Sequence, residues 1–533
     1  MNLEELKEMQ QEKKNKKVEV LKPFHINVEL AEIMKQISEI SSLEEQVIIL
    51  NSELEKINEK TPLWFWSSPK IKRNSSGVIS EVSINKGYDH TIMGNDLIES
   101  YHLVRFPGLR EGAVYDYSRG FWRYFGKNEM KDFVEKETLK VLEDWGYYDI
   151  KHIVPTRIYV MQKTYDKTYP SATPFETSKP ELAVFRNGTY NMLTDSMKEN
   201  DPNDFILNAY DYNLDTSGKA TSNTDALFEG LMGENALFMK QYIGYMFYRS
   251  HTPSPLMLFL KGNGGEGKSS FIAYLSKHIL GSDNVSAVTP QDLSNDKFQM
   301  VELLGKVANI SADILDDFIE DSSVIKRITG GDPVTAQYKG IQGFKMVNYS
   351  KLLFSANKLP KFKDHTEGFS DRLAVVPFIN GNQRLPGATF WKNHDMNKVE
   401  KEAHSFVYSC IREFMKIFDG KKAQFSKTES MVQEEDKWKL SNDHIGEFLL
   451  EATTIHFDDE RGEIATKVQQ EWQAFCKLNG YFPKSAQAFK DYLEDKGVPK
   501  KRSRKGFNDG GSHQWRYIGL ELLVSFTYPE EFI

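Results

Sequence analysis

The sequence predicts an α/β nucleotide-binding core set between an N-terminal α+β module and a small C-terminal domain. Three observations predict it. The run Leu256-Met257-Leu258-Phe259-Leu260 leads directly into a glycine loop and then a helical pattern. Strand and helix patterns alternate from 256 to about 385, as in a parallel sheet with crossover helices. From about 85 to 215 the pattern instead shows short alternating, aromatic-rich strands and turns.

A chain of 533 residues is too long for one core, and its length suggests three or four domains. The expected segments are a helical region over 1–84, the α+β domain over 85–216, the nucleotide-binding domain over 226–430 and a terminal domain over 440–533. A net charge of −8 means that any nucleic acid must be held by local basic patches. The two cysteines, Cys410 and Cys476, exclude a cysteine zinc cluster and a disulfide framework. No apolar run reaches membrane-spanning length and the first residues do not read as a signal peptide, so a soluble protein of the cytoplasm is expected.

In chain order, Leu43 to Lys60 reads as a helix with Val47, Ile48, Leu50, Leu54 and Ile57 near one face. Trp64-Phe65-Trp66 reads as a core anchor rather than a base-stacking platform. Strands are expected at Gly112 to Tyr117, Gly120 to Phe125 and Leu182 to Tyr190, the last folded at Asn187-Gly188. Residues 217–225 read as a polar linker, followed by a helix from Ala236 to Arg249.

Gly262-Asn263-Gly264-Gly265-Glu266-Gly267-Lys268-Ser269, with Ser270 following, fits the phosphate-loop pattern G-x-x-x-x-G-K-[ST]. Glycines let backbone N–H groups turn inward around phosphate oxygens. Lys268 supplies a point charge for the outer phosphates, and the Ser269 hydroxyl can ligate Mg2+. The helix from about Ser269 to His278 directs its positive end at the anion. ATP and Mg2+ are therefore the expected cofactors.

Further segments separate the classes of nucleotide enzyme. Leu303 to Asp313 reads as a strand ending in acid; Asp313 is the candidate to hold the Mg2+ shell and polarise water, with Asp316 and Asp317 as alternatives. Lys351 to Asn357 reads as a buried strand whose polar tip, Asn357, can bond the γ-phosphate or lytic water. Arg372 precedes the apolar strand Leu373 to Phe378 and could reach a neighbouring subunit's phosphates. Val334 to Tyr338 and Phe344 to Asn348 can pair as a hairpin, with Lys326, Tyr338 and Lys339 placed to meet DNA. Near the end, Lys500, Lys501, Arg502, Arg504 and Lys505 form the most basic run, read as a loop between a helix at Ala486 to Leu493 and a strand at Gln514 to Ile518.

Taken in order, these segments resemble the superfamily 3 helicases of phages, plasmids and mobile islands, the group that includes poxvirus primase-helicases and staphylococcal pathogenicity-island replication initiators. The residues that carry the resemblance are Gly262 to Ser269, Gly305-Lys306 with Asp313, Lys326 through Asp332, Asn357 with Pro360, and Arg372 with Pro377-Phe378. Gly120 to Tyr124, Arg186-Asn187-Gly188, Asp204-Phe205 and Trp515 to Leu520 extend it over roughly 100–525. Two features depart from the group: Asp313 stands where Glu is usual, and Asp371-Arg372 where two arginines are usual. The resemblance implies an AAA+-like ATPase core and a C-terminal winged helix. It further implies a ring, commonly a hexamer, that draws single-stranded DNA through a channel lined by Lys339. The alternative function is an ATP-regulated origin binder or loader without unwinding activity. A small-molecule kinase is a weaker third reading, because it leaves the basic tail and hairpin unexplained.

Overall fold

The computed structural model describes residues 21–106, 109–126, 128–166, 179–296, 298–312, 314, 319, 322–339, 343–360, 362, 367–457, 459–479, 481, 483–507 and 513–526. The chain forms two compact units: residues 1–212 with 342–345, and residues 213–341 with 346–533. None of the described helices is long and apolar enough to cross a membrane.

The first unit mixes helices with small antiparallel sheets. Helices Ile26–Ser38 and Leu43–Lys60 precede a hairpin of Phe65–Arg73 and Ile79–Tyr88. Ser42 caps the second helix by accepting from the Glu45 N–H at 3.3 Å. Leu50, Leu54 and Ile57 are buried, but Ile48 is 71% exposed, which corrects the expected apolar face. At about 100° per residue, Ile48 lies about 200° round the helix from Leu50. Trp64 and Phe65 are buried while Trp66 is largely exposed, because the strand that begins at Phe65 alternates its faces. Leu109–Asp116 pairs with Phe121–Tyr124, and Leu182–Phe185 turns at Asn187-Gly188 to pair with Gly188–Asn191.

The second unit is built on a five-stranded parallel sheet. Its strands are β1 (Met257–Lys261), β2 (Val285–Ser286), β3 (Ala308–Ser311), β4 (Lys351–Ala356) and β5 (Leu373–Pro377), in the spatial order β2-β3-β4-β1-β5. Met257 to Leu260, Leu352 to Ala356 and Leu373 to Val376 are all buried, as expected of strands covered on both faces. Beside the sheet, helices Ala236–Met246 and Met396–Ile417 approach so closely that a Cβ on Gly244 would lie 2.1 Å from the Cys410 carbonyl oxygen.

The expected linker at 217–225 is partly helical, since a helix spans Ser222–Met232. Glu402 makes this possible. Its carboxylate accepts from the Thr224 N–H at 2.8 Å and the Asn223 side chain at 2.5 Å, satisfying donors that a helix start leaves open.

The end of this unit packs helices His444–Ala452, Ala465–Leu478 and Ala486–Asp495 around Phe448, Trp472, Phe475, Phe489 and Tyr517. An antiparallel sheet orders Gly462–Ile464, Gln514–Ile518 and Lys500–Ser503 side by side. The basic run expected to be a loop is therefore a strand from Lys500 to Ser503. Cross-strand bonding overrides its weak β-propensity, and the Lys500 ammonium lies 5.7 Å from the centroid of the Tyr517 ring.

Truncating Leu353, fully buried in β4 between β3 and β1, should destabilise the sheet by about 3 kcal/mol, whereas Ile48→Ala should cost less than about 0.5 kcal/mol. Urea unfolding of Leu353→Ala, Ile48→Ala and wild type side by side checks both.

Candidate nucleotide-binding site

The site begins where β1 stops. Lys261 pairs with Ala356 of β4 and Pro377 of β5, and the chain then turns through Gly262 to Gly267. Gly264, Gly265 and Gly267 hold φ of +104°, +83° and +95°, a left-handed backbone that other residues adopt only with strain. This sequence of turns aims N–H groups into the loop. Helix Lys268–Tyr274 follows and continues as a π-turn over Leu275–Leu280.

Inside the loop, three side chains meet. The Lys268 ammonium donates to the Gly262 carbonyl at 3.0 Å, to Asn357 Oδ1 at 3.1 Å and to Glu266 Oε2 at 3.4 Å. Glu266 in turn accepts from the Asn263 N–H at 2.6 Å and the Gly264 N–H at 2.8 Å. Glu266 and Lys268 are both buried. Burial alone would raise the Glu266 carboxyl; the two backbone N–H groups and the Lys268 charge outweigh it and hold the group below the usual carboxylate range.

The loop thus holds an anion of its own. Backbone N–H groups of the kind that cradle phosphate oxygens are bonded to the Glu266 carboxylate, and the cation that would neutralise a phosphate is paired with the same group. A phosphate entering here exchanges with Glu266 instead of filling unbonded donors. Ser269 and Ser270 stand exposed in the first helical turn beyond. A single hydroxyl, as Ser269 offers, suits Mg2+ that takes its remaining oxygens from phosphates and water. Among the described residues no cluster of three His, Cys, Asp or Glu could hold a metal unaided.

The segment after β5 lies against the loop. The Gln383 N–H donates to the Gly265 carbonyl at 2.9 Å. Cβ atoms built on Gly265 and Gly267 would lie 2.0 Å from Asn382 Oδ1 and 2.6 Å from the Trp391 ring. Sequence reasoning missed Asn382, Gln383 and Trp391, which sit more than a hundred residues from the loop in a stretch with no motif. It placed Glu266 among the nucleotide-binding residues of the loop and did not foresee its bond to Lys268.

Asn357 follows the carboxyl end of β4, which neighbours β1, so strand order alone brings it to Lys268. Arg372 stands elsewhere. Met257 pairs with Leu373, so Arg372 precedes the amino end of β5, and its carbonyl accepts from the Met257 N–H at 2.7 Å. Its half-buried guanidinium donates to the Gly368 carbonyl. The strand between the two edges spans roughly 13 Å. Asp313, Asp316 and Asp317 lie outside the described residues.

Lys326 is half-buried on helix Ser323–Gly330. Tyr338 and Lys339 are exposed just past strand Pro333–Ala336, which pairs with Phe344–Val347. In the terminal sheet Lys500 is half-buried, while Lys501, Arg502, Arg504 and Lys505 are exposed, with Lys505 ion-paired to Glu460.

Residues 260–372 match a family model described as a family of unknown function (DUF5906). No curated protein matches the chain. Among solved structures, the A form apo structure of the NrS-1 C terminal region is similar at 12% identity and a TM-score of 0.41, over 79% of this chain and 97% of that one. The apo structure of the NrS-1 C terminal region (305-718) is similar at 11% identity and a TM-score of 0.38, over 81% of this chain and 99% of that one. A JCV helicase with a bound acetamide is similar at 12% identity and a TM-score of 0.26, over 57% of this chain and 80% of that one. At these identities and scores the functional reading rests on the chain's own residues.

Replacing Glu266 with Gln removes the charge that competes for the loop. Charge-assisted bonds exceed neutral ones by about 1 kcal/mol, so Glu266→Gln should tighten ATP binding roughly fivefold. Titration with a fluorescent ATP analogue measures it, and equal or weaker binding would show that Glu266 does not oppose the phosphate.

Proposed function

We propose that this chain is an ATP-hydrolysing, ring-forming DNA helicase of the superfamily 3 kind, acting in the replication of a mobile genetic element. One observation carries the reading: the groups suited to phosphate and the arginine suited to transition-state charge lie at opposite edges of one parallel sheet. Lys268 and Asn357 meet at the carboxyl edge, while Arg372 lies at the amino edge, roughly 13 Å of strand away. Within one protomer Arg372 points at no phosphate held by that protomer's loop. In a head-to-tail ring, it meets the loop of the next protomer.

In this reading Lys268 and the loop N–H groups bind the β- and γ-phosphates of ATP, and Ser269 holds Mg2+. The ion, when bound there, would supply charge neutralisation for the transferring phosphoryl group. Asp313, through its carboxylate, orients the attacking water. Asn357 changes partner: bonded to Lys268 without nucleotide, it turns to the γ-phosphate or water when ATP is present. That exchange gives a strand end whose bonding depends on the nucleotide, which is what a motor needs to couple hydrolysis to movement. Lys326, Tyr338 and Lys339 face single-stranded DNA in the channel of a hexamer. The terminal three helices and hairpin sheet support a winged-helix reading, with Lys500, Lys501, Arg502, Arg504 and Lys505 on DNA phosphates.

Lys268→Ala should abolish ATP hydrolysis and strand displacement on a forked substrate, and a wild-type protein without DNA-stimulated hydrolysis would overturn the reading. Strand displacement also separates a helicase from an origin binder or loader. Arg372→Ala should hydrolyse ATP at least a hundredfold more slowly alone, by analogy with arginine fingers worth about 10³ or more. Mixing it with Lys268→Ala should restore part of the rate, because such rings contain seams with an intact loop facing an intact arginine. Hydrolysis rates across a mixing series measure this, and the absence of any recovery would place Arg372 outside the seam.

A further inference from the structure

The terminal hairpin carries a feature that phosphate binding does not use. Strands Lys500–Ser503 and Gln514–Ile518 pair with Arg502 directly opposite Trp515 and Lys500 opposite Tyr517. Directly opposed residues share a face, so Arg502, Trp515, Lys500 and Tyr517 lie on one side of the hairpin. Tyr517 is buried, with its ring centroid 6.1 Å from that of Phe489. Two residues further out, Trp515 is 53% exposed.

The third strand explains the difference. Gly462–Ile464 pairs with Ile518, Tyr517 and Arg516, and that ladder ends at Ile464 opposite Arg516. Arg516 is buried and donates to the Gly462 carbonyl at 3.0 Å, so it belongs to the sheet. The Arg502–Trp515 rung lies one residue beyond the end of that ladder, where only two strands are paired. An indole left largely in water costs solubility and contributes little to this core. Arg502, directly opposite on the same face, is exposed with it.

The neighbouring helix Ala486–Asp495 narrows the partner. It exposes Gln487, Asp491, Glu494 and Asp495, while its one lysine, Lys490, lies 3.6 Å from Glu494. A phosphate backbone lying along that face would meet three carboxylates, so this helix is unsuited to a DNA groove. The Arg502–Trp515 rung, where an exposed aromatic face and a guanidinium are offered together, suits nucleic acid better. A paired base within a duplex has no free face for an indole. An unpaired base does, and stacking on an aromatic side chain beside a cation is how sequence-tolerant single-strand sites are made.

We infer that Trp515 and Arg502 form a stacking platform for an unpaired base of single-stranded DNA at the outer end of this hairpin. The inference rests on the reading of the chain as a DNA-acting protein and adds a site outside the proposed channel.

The test uses the full chain without nucleotide and a thymidine oligonucleotide carrying one 5-iodouridine. Irradiation should crosslink the base to the peptide containing Trp515, as mapped by mass spectrometry. Trp515→Ala should lose that crosslink and bind the oligonucleotide about tenfold more weakly, while Trp515→Phe retains most of the affinity. Blunt duplex binding should be unchanged by either substitution. Arg502→Ala should reduce the slope of log affinity against log salt by about one. Crosslinks confined to other peptides, or wild-type single-strand affinity in Trp515→Ala, would overturn the inference. So would an equal loss for blunt duplex, which would mark Trp515 as a general or structural contact. ATP hydrolysis by the same preparations reports separately on the ATPase: its absence with the Trp515 crosslink intact would remove that reading and leave the platform.

Discussion

The chemistry of the second unit depends on the position of β1 between β4 and β5. Parallel strands expose their carboxyl ends at one edge, so neighbours in the sheet deliver their following loops to the same place. The loop after β1 and Asn357 after β4 are nearly ninety residues apart in sequence, yet the pairing of Lys261 with Ala356 leaves their side chains within one hydrogen bond. The same ladder holds Arg372 at the other edge, because Met257 is matched to Leu373. A single register therefore assembles the phosphate site and separates it from the arginine. Both consequences follow from the burial of β1 on two faces, since sliding it by one residue would break pairing on both sides at once.

The phosphate loop carries its own counter-anion. A buried ammonium is costly unless bonded, and the Glu266 carboxylate pairs with it while accepting from the Asn263 and Gly264 N–H groups. A phosphate binding at this loop would exchange one anion for another, and only the difference between them would appear as affinity. The arrangement keeps the loop's shape without ligand, and a phosphate offers more oxygens and more charge than the single carboxylate it would displace. Glu266 is also the loop's one acid, so its effect falls on the two inner N–H donors and on Lys268 and leaves the first turn of the helix, with Ser269, open.

What could be read from the sequence follows the range of the forces involved. The expected strand at 256–260 and the observed Met257–Lys261 agree within one residue, because a doubly covered strand must be apolar throughout. The helix Leu43–Lys60 was legible from its period, and the turn at Asn187-Gly188 from its chemistry. Long-range partners were not legible. Helix Ser222–Met232 starts inside an apparent linker because Glu402, nearly two hundred residues away, caps it. Lys500–Ser503 is a strand because Gln514–Ile518 lies beside it, although four polar residues in a row carry no strand pattern. Glu266 was visible as a residue, but its inward turn depends on backbone angles that only the folded loop fixes. Trp391 has no local signal at all; its place against Gly267 is a product of the fold.

Charge settles how the terminal domain can work with DNA in the proposed reading. In a chain of net charge −8, the field at long range repels a polyanion, so contact depends on groups that project beyond it. Attraction screened over about 8 Å in physiological salt favours a narrow protruding element over a broad face. The hairpin offers exposed Lys501, Arg502 and Arg504, whereas the adjacent helix exposes Asp491, Glu494 and Asp495. In that reading the domain would hold DNA by the hairpin and keep its acidic helix away from the phosphates. The exposed acids of the helix disfavour a close approach of the phosphate backbone there, so in that reading backbone charge and the faces of unpaired bases are what the hairpin would recognise. If the chain separates strands as proposed, such a domain would detect that a strand is single and leave its sequence unread.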